Sequence, residues 1–193
     1  MPLIDRADTL LIVVDAQPGF SGTSNEDKAA ANRSRHVAAW LVRVAAALDI
    51  PVIVTEEDPA TNGPTHPIVA DALPSSAAVY RKPVFGLADV PDILAAIEAT
   101  GRRTAVLVGA ETDVCVAQSA VGLVDRGFRV VVVADATFSP GSMHESGLRH
   151  AGDAGAEVRH AKGVYYDWLR TVAAARAFRT AHPDLASPPG FAL

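Results

Sequence analysis

The chain alternates between short apolar runs and longer segments with helical periodicity. Four runs rich in Val, Ile and Leu are typical of strands that are buried on both faces. They are residues 9–14, 51–55, 105–108 and 128–134. Two shorter extended pieces, residues 78–82 and 157–159, predict two further short strands, the second at an edge.

Helical periodicity fills most of the segments between these runs. The predicted helices are residues 29–48, 89–100, 115–126, 144–155 and 165–182. Ser24 and Asp27 can form the capping arrangement that opens the first helix. Residues 56–78 are left as a long, proline-rich loop, and loops of that length in compact domains are often functional.

Strands that alternate with helices predict a parallel α/β sheet with helices on both faces. The chain has no internal repeat and no second composition regime. We therefore predict a single domain over residues 1–193, with a coil tail at residues 183–193.

Composition narrows the possible partners and the compartment. The chain has 193 residues and a net charge of −5, which offers no basic surface for nucleic acid. No apolar run approaches the roughly 20 residues that span a bilayer, and the first residues lack the pattern of a signal peptide. One cysteine cannot form an internal disulfide, which fits a reducing compartment. We expect a soluble, cytoplasmic protein that acts on a small molecule and binds neither nucleic acid nor membrane.

The lone cysteine, Cys115, follows the third apolar run after a tight turn and opens a helix. In open parallel sheets the ligand crevice lies at the carboxyl ends of the strands. Unpaired N–H groups at the start of a helix are expected to lower the pKa of a thiol there. The alternative is ordinary, since a free cysteine is often a small buried apolar residue.

Two charged residues end other predicted strands. Asp15 follows the first run, and Lys82 ends the piece at residues 78–82. Each has an ordinary interpretation, because an Asp after a strand often forms a turn and a Lys is usually solvated. In a parallel sheet, however, both point to the edge where Cys115 lies. A thiolate nucleophile, a carboxylate that exchanges its proton and an ammonium that holds the charges form a consistent catalytic set.

Three segments in this order resemble the isochorismatase-like cysteine hydrolases: DAQPGF at residues 15–20, KPVF at 82–85 and GAETDVCV at 109–116. The resemblance covers about residues 8 to 170. It implies a Rossmann-type three-layer α/β/α fold with six parallel strands and a triad of Asp15, Lys82 and Cys115. It further implies a cis peptide bond between Ala110 and Glu111, an oxyanion hole made by the Glu111 and Cys115 amides, and a homo-oligomer.

The chain departs from the nicotinamidases of that family, which hold a metal with an Asp-x-His pair and a further His. Glu57 stands where the Asp would fall and Pro59 where the His would fall, and only His66 lies nearby. We therefore expect no metal and no cofactor. The acidic run at residues 56–58 is expected to be a solvated loop. If it faces the crevice instead, it favours cationic or hydrogen-bond-donating substrates.

The sequence thus predicts a hydrolase that cleaves a C–N bond of a small amide or carbamoyl compound through a thioester. Two alternatives stay open: a non-covalent isochorismatase-type hydrolase with Asp15 as general acid, and a non-catalytic oligomeric binding protein. Four residues are candidates for the substrate pocket: Gln17, Phe20, Phe85 and Tyr165.

Overall fold

Six parallel strands form one sheet in the computed structural model, which describes residues 2–193. The strands are β1 (Thr9–Val14), β2 (Val52–Glu57), β3 (Ala78–Lys82), β4 (Thr104–Ala110), β5 (Arg129–Phe138) and β6 (Glu157–Arg159). Their order in the sheet is β3-β2-β1-β4-β5-β6. The predicted parallel α/β fold is therefore confirmed, including the two short strands.

Helices cover both faces of this sheet. They are α1 (Asn25–Ala47), α2 (Pro59–Asn62), α3 (Pro67–Ala70), α4 (Pro91–Ala99), α5 (Ala117–Asp125), α6 (Met143–Asp153), α7 (Ala161–Leu169) and α8 (Val172–Ala181). The predicted cap of α1 is confirmed, because Ser24 Oγ accepts a hydrogen bond from the Asp27 amide at 3.0 Å. Among residues 2–193, no helix combines the length and the apolar character needed to cross a membrane.

The apolar side chains form one layer on each side of the sheet. On one side, β1, β2, β4 and β5 pack against α1, α7 and α8. On the other side, the alternate residues of the same strands pack against α4, α5 and α6. Because side chains alternate across a strand, the continuous apolar runs of β1 and β4 fill both layers.

α1 begins at Asn25 rather than at residue 29, and three further differences from the sequence prediction stand out. The predicted last helix is divided into α7 and α8, because Arg170 adopts a φ of 65° and breaks the helical path. The proline-rich loop contains the short helices α2 and α3, each with a proline at its start. β5 continues through Asp135 to Phe138, with a register shift against β4 between Leu107 and Gly109.

Candidate active site

The carboxyl edge of the sheet gathers two charged residues and the cysteine from the ends of β1, β3 and β4. Asp15 comes directly after β1, Lys82 is the last residue of β3, and Cys115 lies in a π-helical turn, Thr112–Val116, between β4 and α5. All three residues are buried. The parallel arrangement therefore brings the three sequence-predicted residues to one edge, as the topology requires.

Asp15 and Lys82 form an ion pair that is closed to solvent. Lys82 Nζ lies 2.6 Å from Asp15 Oδ2, and both side chains are 0% exposed. The angles of this contact fall outside hydrogen-bond geometry, so it is best described as two charges in contact. Nζ also donates hydrogen bonds to the carbonyl oxygens of Val84 (2.9 Å) and Phe85 (2.8 Å). The ammonium is thus fixed by one carboxylate and two carbonyls.

The other oxygen of Asp15 accepts a hydrogen bond from Thr55 Oγ1 at 2.8 Å. Burial raises the pKa of Asp15, although the charge of Lys82 and the hydrogen bond from Thr55 act in the opposite direction. A carboxylate with a raised pKa is a stronger base than one in water. Thr55 was not singled out in the sequence, although its position near the end of β2 puts it at the same edge.

Cys115 meets a second carboxylate. Its Sγ lies 3.3 Å from Glu57 Oε2, to which the thiol donates. Burial raises the pKa of the Cys115 thiol, and the Asp15 charge adds to that effect against the smaller opposing influence of Lys82. The expected lowering by a helix terminus is therefore wrong, because burial and two carboxylates outweigh it. The raised pKa favours the protonated thiol of Cys115.

The acidic run at residues 56–58 is divided among three environments, and the expected solvated loop is correct for only one of them. Glu56 turns inward and accepts hydrogen bonds from the Thr65 amide (2.7 Å) and hydroxyl (2.8 Å). Glu57 faces Cys115. Asp58 is exposed to solvent.

The turn that carries Cys115 begins where the backbones of the neighbouring strands β1 and β4 approach closely. Gly109 has a φ of 121°, and a Cβ at this position would lie 1.8 Å from the Val14 carbonyl oxygen. Only glycine fits there. The peptide bond between Ala110 and Glu111 is cis. Glu111 is half-buried, and burial, with the nearby charges of Asp113 and Glu57, raises the pKa of its carboxyl.

Helix α6 and the loop before it hold the π turn from the other side. Ser139 Oγ donates to Asp113 Oδ1 at 2.6 Å and accepts from the Asp113 amide at 3.2 Å. His144 Nδ1 lies 2.9 Å from Thr112 Oγ1. A Cβ on Gly147 would lie 2.4 Å from the Asp113 amide nitrogen, so α6 touches the turn at this point. No sequence motif signalled these contacts.

Gln17 has a positioning role. Its side chain is buried and binds the backbone of the segment after β2. Nε2 donates to the carbonyls of Glu57 (3.0 Å) and Gly63 (2.5 Å), while Oε1 accepts from the Glu57 amide at 2.8 Å. These hydrogen bonds use the amide group and hold Glu57 at the site.

The three aromatic pocket candidates lie in different surroundings. Phe20 is half-buried and lines a small cavity beside Ala110. Phe85 is 50% exposed, and its carbonyl, not its ring, holds Lys82. The prediction for Tyr165 is wrong, because it is 0% exposed and packs against Trp40 and Phe178 in the core. A side chain that is enclosed in this way has no surface for a substrate.

A cleft of about 730 Å³ opens beside the π turn, but none of Asp15, Lys82 and Cys115 lines it. Its walls come from the first half of α1, the β5–α6 connection and the C-terminal tail near residues 189–191. Ser139 and His144 belong both to these walls and to the contacts that hold the π turn. The cleft is therefore a neighbouring space large enough for a small molecule.

Three potential metal ligands converge at this edge, since atoms of Asp15, Glu57 and Cys115 lie within 4.8 Å of one another. The Lys82 ammonium already occupies one side of this group and compensates one charge. Pro59 cannot supply a ligand, and the His66 ring accepts a hydrogen bond from the Ile68 amide at 3.3 Å as the cap of α3. These residues do not fit the histidine-based metal site of nicotinamidases.

A family model described as the isochorismatase domain matches residues 9–162, a stretch that contains Asp15, Lys82 and Cys115. The chain belongs to the isochorismatase-domain family. The resemblance inferred from the three motifs is therefore confirmed, and the comparisons support a hydrolase of this family.

Individual relatives agree with this assignment. The probable hydrolase YcaC of Escherichia coli K12 is 28% identical over 176 residues, which cover 88% of this chain and 83% of that protein. Its structure, an octameric hydrolase of unknown specificity, has a TM-score of 0.79 at 25% identity and covers 95% of this chain and 92% of that one. YcaC of Pseudomonas aeruginosa, with hexane-2,5-diol and covalent acrylamide, has a TM-score of 0.78 at 26% identity and covers 95% and 94%.

A further relative is longer than this chain. Isochorismatase domain-containing protein 1 of Danio rerio is 40% identical over 104 residues, which are 53% of this chain. The match spans 36% of the length of that protein.

Proposed function

We propose that the protein is a cysteine hydrolase that cleaves the C–N bond of a small amide or carbamoyl compound through a thioester. One observation carries the proposal: a buried thiol, a buried carboxylate and a buried ammonium meet at the carboxyl edge of the sheet. Lys82 Nζ lies 2.6 Å from Asp15, and Cys115 Sγ lies within 4.8 Å of an Asp15 carboxylate oxygen. A nucleophile beside a base that is oriented by a third group is the pattern of covalent catalysis.

In the acylation step, Asp15 accepts the thiol proton as Cys115 Sγ attacks the carbonyl carbon. A C–S bond forms, and the π electrons of the carbonyl move to its oxygen. The amides of Glu111 and Cys115 donate to this oxyanion, and Lys82 balances the charge of the Asp15–Cys115 pair. When the carbonyl re-forms, the C–N bond breaks and the proton on Asp15 passes to the leaving nitrogen.

In the deacylation step, water replaces the amine. The water oxygen attacks the thioester carbon while Asp15 takes a proton from that water. The C–S bond then breaks, the acid product leaves, and Asp15 returns the proton to the thiolate. The raised pKa of Asp15 makes it a stronger base, which suits its role of taking the thiol proton and returning it.

A relative with the same fold carries a covalent adduct. The Pseudomonas aeruginosa YcaC structure contains covalent acrylamide, a small compound that has both an amide and an electrophilic carbon. We propose that Cys115 is the corresponding reactive group here. A thiol nucleophile would also require the reducing compartment that the single cysteine suggests.

A second candidate is favoured by the raised pKa of the thiol. Asp15 could act as general acid on a substrate without attack by sulfur, as in an isochorismatase-type hydrolysis. In that case Cys115 contributes only packing, and Asp15, whose pKa is also raised, supplies the proton.

The two candidates separate in a variant experiment. Purified protein is offered a panel of small primary amides and carbamoyl compounds, and release of ammonia is measured. For any active compound we expect Cys115→Ala to lose turnover and an acid-quenched wild-type sample to carry an acyl group by intact mass. Full turnover by Cys115→Ala, with loss in Asp15→Asn, would instead establish the non-covalent reaction.

We also propose that the chain forms a homo-oligomer, as the octameric Escherichia coli YcaC does. Light scattering coupled to size-exclusion chromatography tests this directly. A mass equal to the 20.1 kDa chain at micromolar concentration would refute it.

A further inference from the structure

Glu57 places a negative charge against the nucleophile that the proposed reaction does not use. Its Oε2 lies 3.3 Å from Cys115 Sγ, and a Glu57 oxygen, an Asp15 oxygen and this sulfur all lie within 4.8 Å of one another. Glu57 is paired in register with Lys82 across β2 and β3, at the same sheet edge as the triad.

The ammonium of Lys82 pairs with Asp15 and not with Glu57. It contacts Asp15 and donates to the Val84 and Phe85 carbonyls. Among residues 2–193, the ion pairs do not include Glu57. One negative charge beside the sulfur is therefore left without a counter-charge.

The backbone of Glu57 is held in this place. Gln17 binds both its amide (2.8 Å) and its carbonyl (3.0 Å), and the Gln17 side chain is itself buried. A buried glutamine therefore fixes the backbone of Glu57, and the Glu57 carboxylate disfavours a negative charge on the sulfur.

That opposition has a chemical consequence. A carboxylate next to the sulfur disfavours the thiolate, and the hydrogen bond from the thiol to Glu57 adds to the rise in the pKa of Cys115. A cation placed beside Glu57 would neutralise this charge and favour the thiolate at the same time. The same cation would be attracted to the half-buried Glu111.

We propose that Glu57 selects substrates with a cationic group, an ammonium or guanidinium, close to the scissile carbonyl, and that this cation completes the activation of Cys115. The proposal rests on the proposed function, because it assumes that Cys115 attacks the substrate. Without a cation the thiol stays protonated, so neutral electrophiles of the cell react slowly.

Methanethiosulfonates of different charge test the field at the sulfur without knowledge of the substrate. The thiol loses its proton, an S–S bond forms and methanesulfinate leaves. Rates are measured by intact mass with the aminoethyl (cationic), methyl (neutral) and sulfonatoethyl (anionic) reagents. The cation-to-anion rate ratio is divided by the same ratio for 2-mercaptoethanol.

We expect this normalised ratio to be about tenfold or more above one in the wild type. Glu57→Gln should lower it about tenfold, while Asp58→Asn, which removes the same charge from the exposed neighbouring residue, should change it less than about twofold. A wild-type ratio near one overturns the proposal without need of any variant. Equal losses in the two variants would also overturn it, because the field would then be general.

The neutral reagent distinguishes the proposed selectivity of Glu57 from the proposed function, in which Cys115 is the nucleophile. If the methyl reagent labels folded protein at Cys115 but the normalised cation-to-anion ratio is near one, Cys115 is still supported as the nucleophile and the proposed selectivity for cations is refuted. If it labels only unfolded protein, both proposals fail. Among active amides of equal size, one with an ammonium and one with a methyl group, we expect kcat/KM to favour the ammonium compound, and Glu57→Gln to remove the preference.

Discussion

Replacement of Lys82 by methionine should destabilise the fold in a pH-dependent way. Met keeps most of the apolar volume but removes the ammonium that contacts Asp15, while both side chains are 0% exposed. Removal of one partner from a buried ion pair costs about 3–5 kcal/mol, because the remaining charge is left unpaired. For a chain of this length each kcal/mol lowers Tm by about 2–4 °C, so we expect a loss of roughly 6–20 °C near pH 7.5.

The pH dependence follows from the carboxyl group that remains. Burial already raises the pKa of Asp15 in the native state, and loss of Lys82 removes the main opposing influence, so the pKa rises further. A carboxyl whose folded pKa lies above its unfolded pKa contributes stability at low pH and loses it as pH rises through the folded value. The deficit of Lys82→Met should therefore shrink as pH falls from 7.5 to 5.

Urea unfolding at fixed protein concentration measures this effect for the wild type and four variants: Lys82→Met, Asp15→Asn, their combination and one control. Lys162→Met, at an exposed position of α7, is the control and should stay within about 0.5 kcal/mol of the wild type. The double variant Asp15→Asn/Lys82→Met should be more stable than Lys82→Met alone, because no unpaired charge remains. A loss below about 1 kcal/mol, or additive single and double variants, would refute the buried ion pair.

Three further substitutions test how the turn and the site are held, each by thermal unfolding. Gly147→Ala should lower the free energy of unfolding by about 2–3 kcal/mol, because its Cβ would lie 2.4 Å from the Asp113 amide nitrogen. Gly152→Ala in the same helix is the control: its Cβ meets nothing within 4 Å, so it should be neutral or stabilising by up to about 1 kcal/mol. Equal effects would mean that α6 does not press on the turn. Ser24→Ala should lower the free energy of unfolding by about 1 kcal/mol through loss of the α1 cap. An unchanged stability would show that the cap does not stabilise the protein. Gln17→Ala should cost about 2–3 kcal/mol and slow the alkylation of the cysteine; stability at the wild-type level would contradict its positioning role.

The features that could be predicted from the sequence depend on short-range patterns. Continuous apolar runs identified β1 and β4 because such strands are buried on both faces. The parallel topology then required that residues at the ends of β1, β3 and β4 share one edge, which is why Asp15, Lys82 and Cys115 meet. The α1 cap was predictable because Ser24 acts on a residue three positions away.

The remaining features depend on contacts between distant segments. The direction of the Cys115 pKa could not be read from its helix position, because it is set by burial and by carboxylates from two other strands. The orientation of Glu57 depends on Gln17, which is 40 residues away. The break at Arg170 has no glycine or proline to announce it.

Tyr165 illustrates the same limit for aromatic residues. Its position in an amphipathic segment fits a pocket wall and a core equally well. Only the packing of α7 and α8 against α1 decides between them, with Trp40 and Phe178 closing over the ring.

The pH dependence of Cys115 alkylation by iodoacetamide, read by intact mass, tests the central claim most directly. The account predicts a single adduct on folded protein, a rate that still rises above pH 9 because the pKa of the thiol is raised, and a faster rate at pH 7.5 in Asp15→Asn, because loss of the Asp15 charge lowers the pKa of the thiol. The claim would be contradicted by a thiol that reacts only after unfolding, or by an Asp15→Asn variant that is labelled no faster than the wild type.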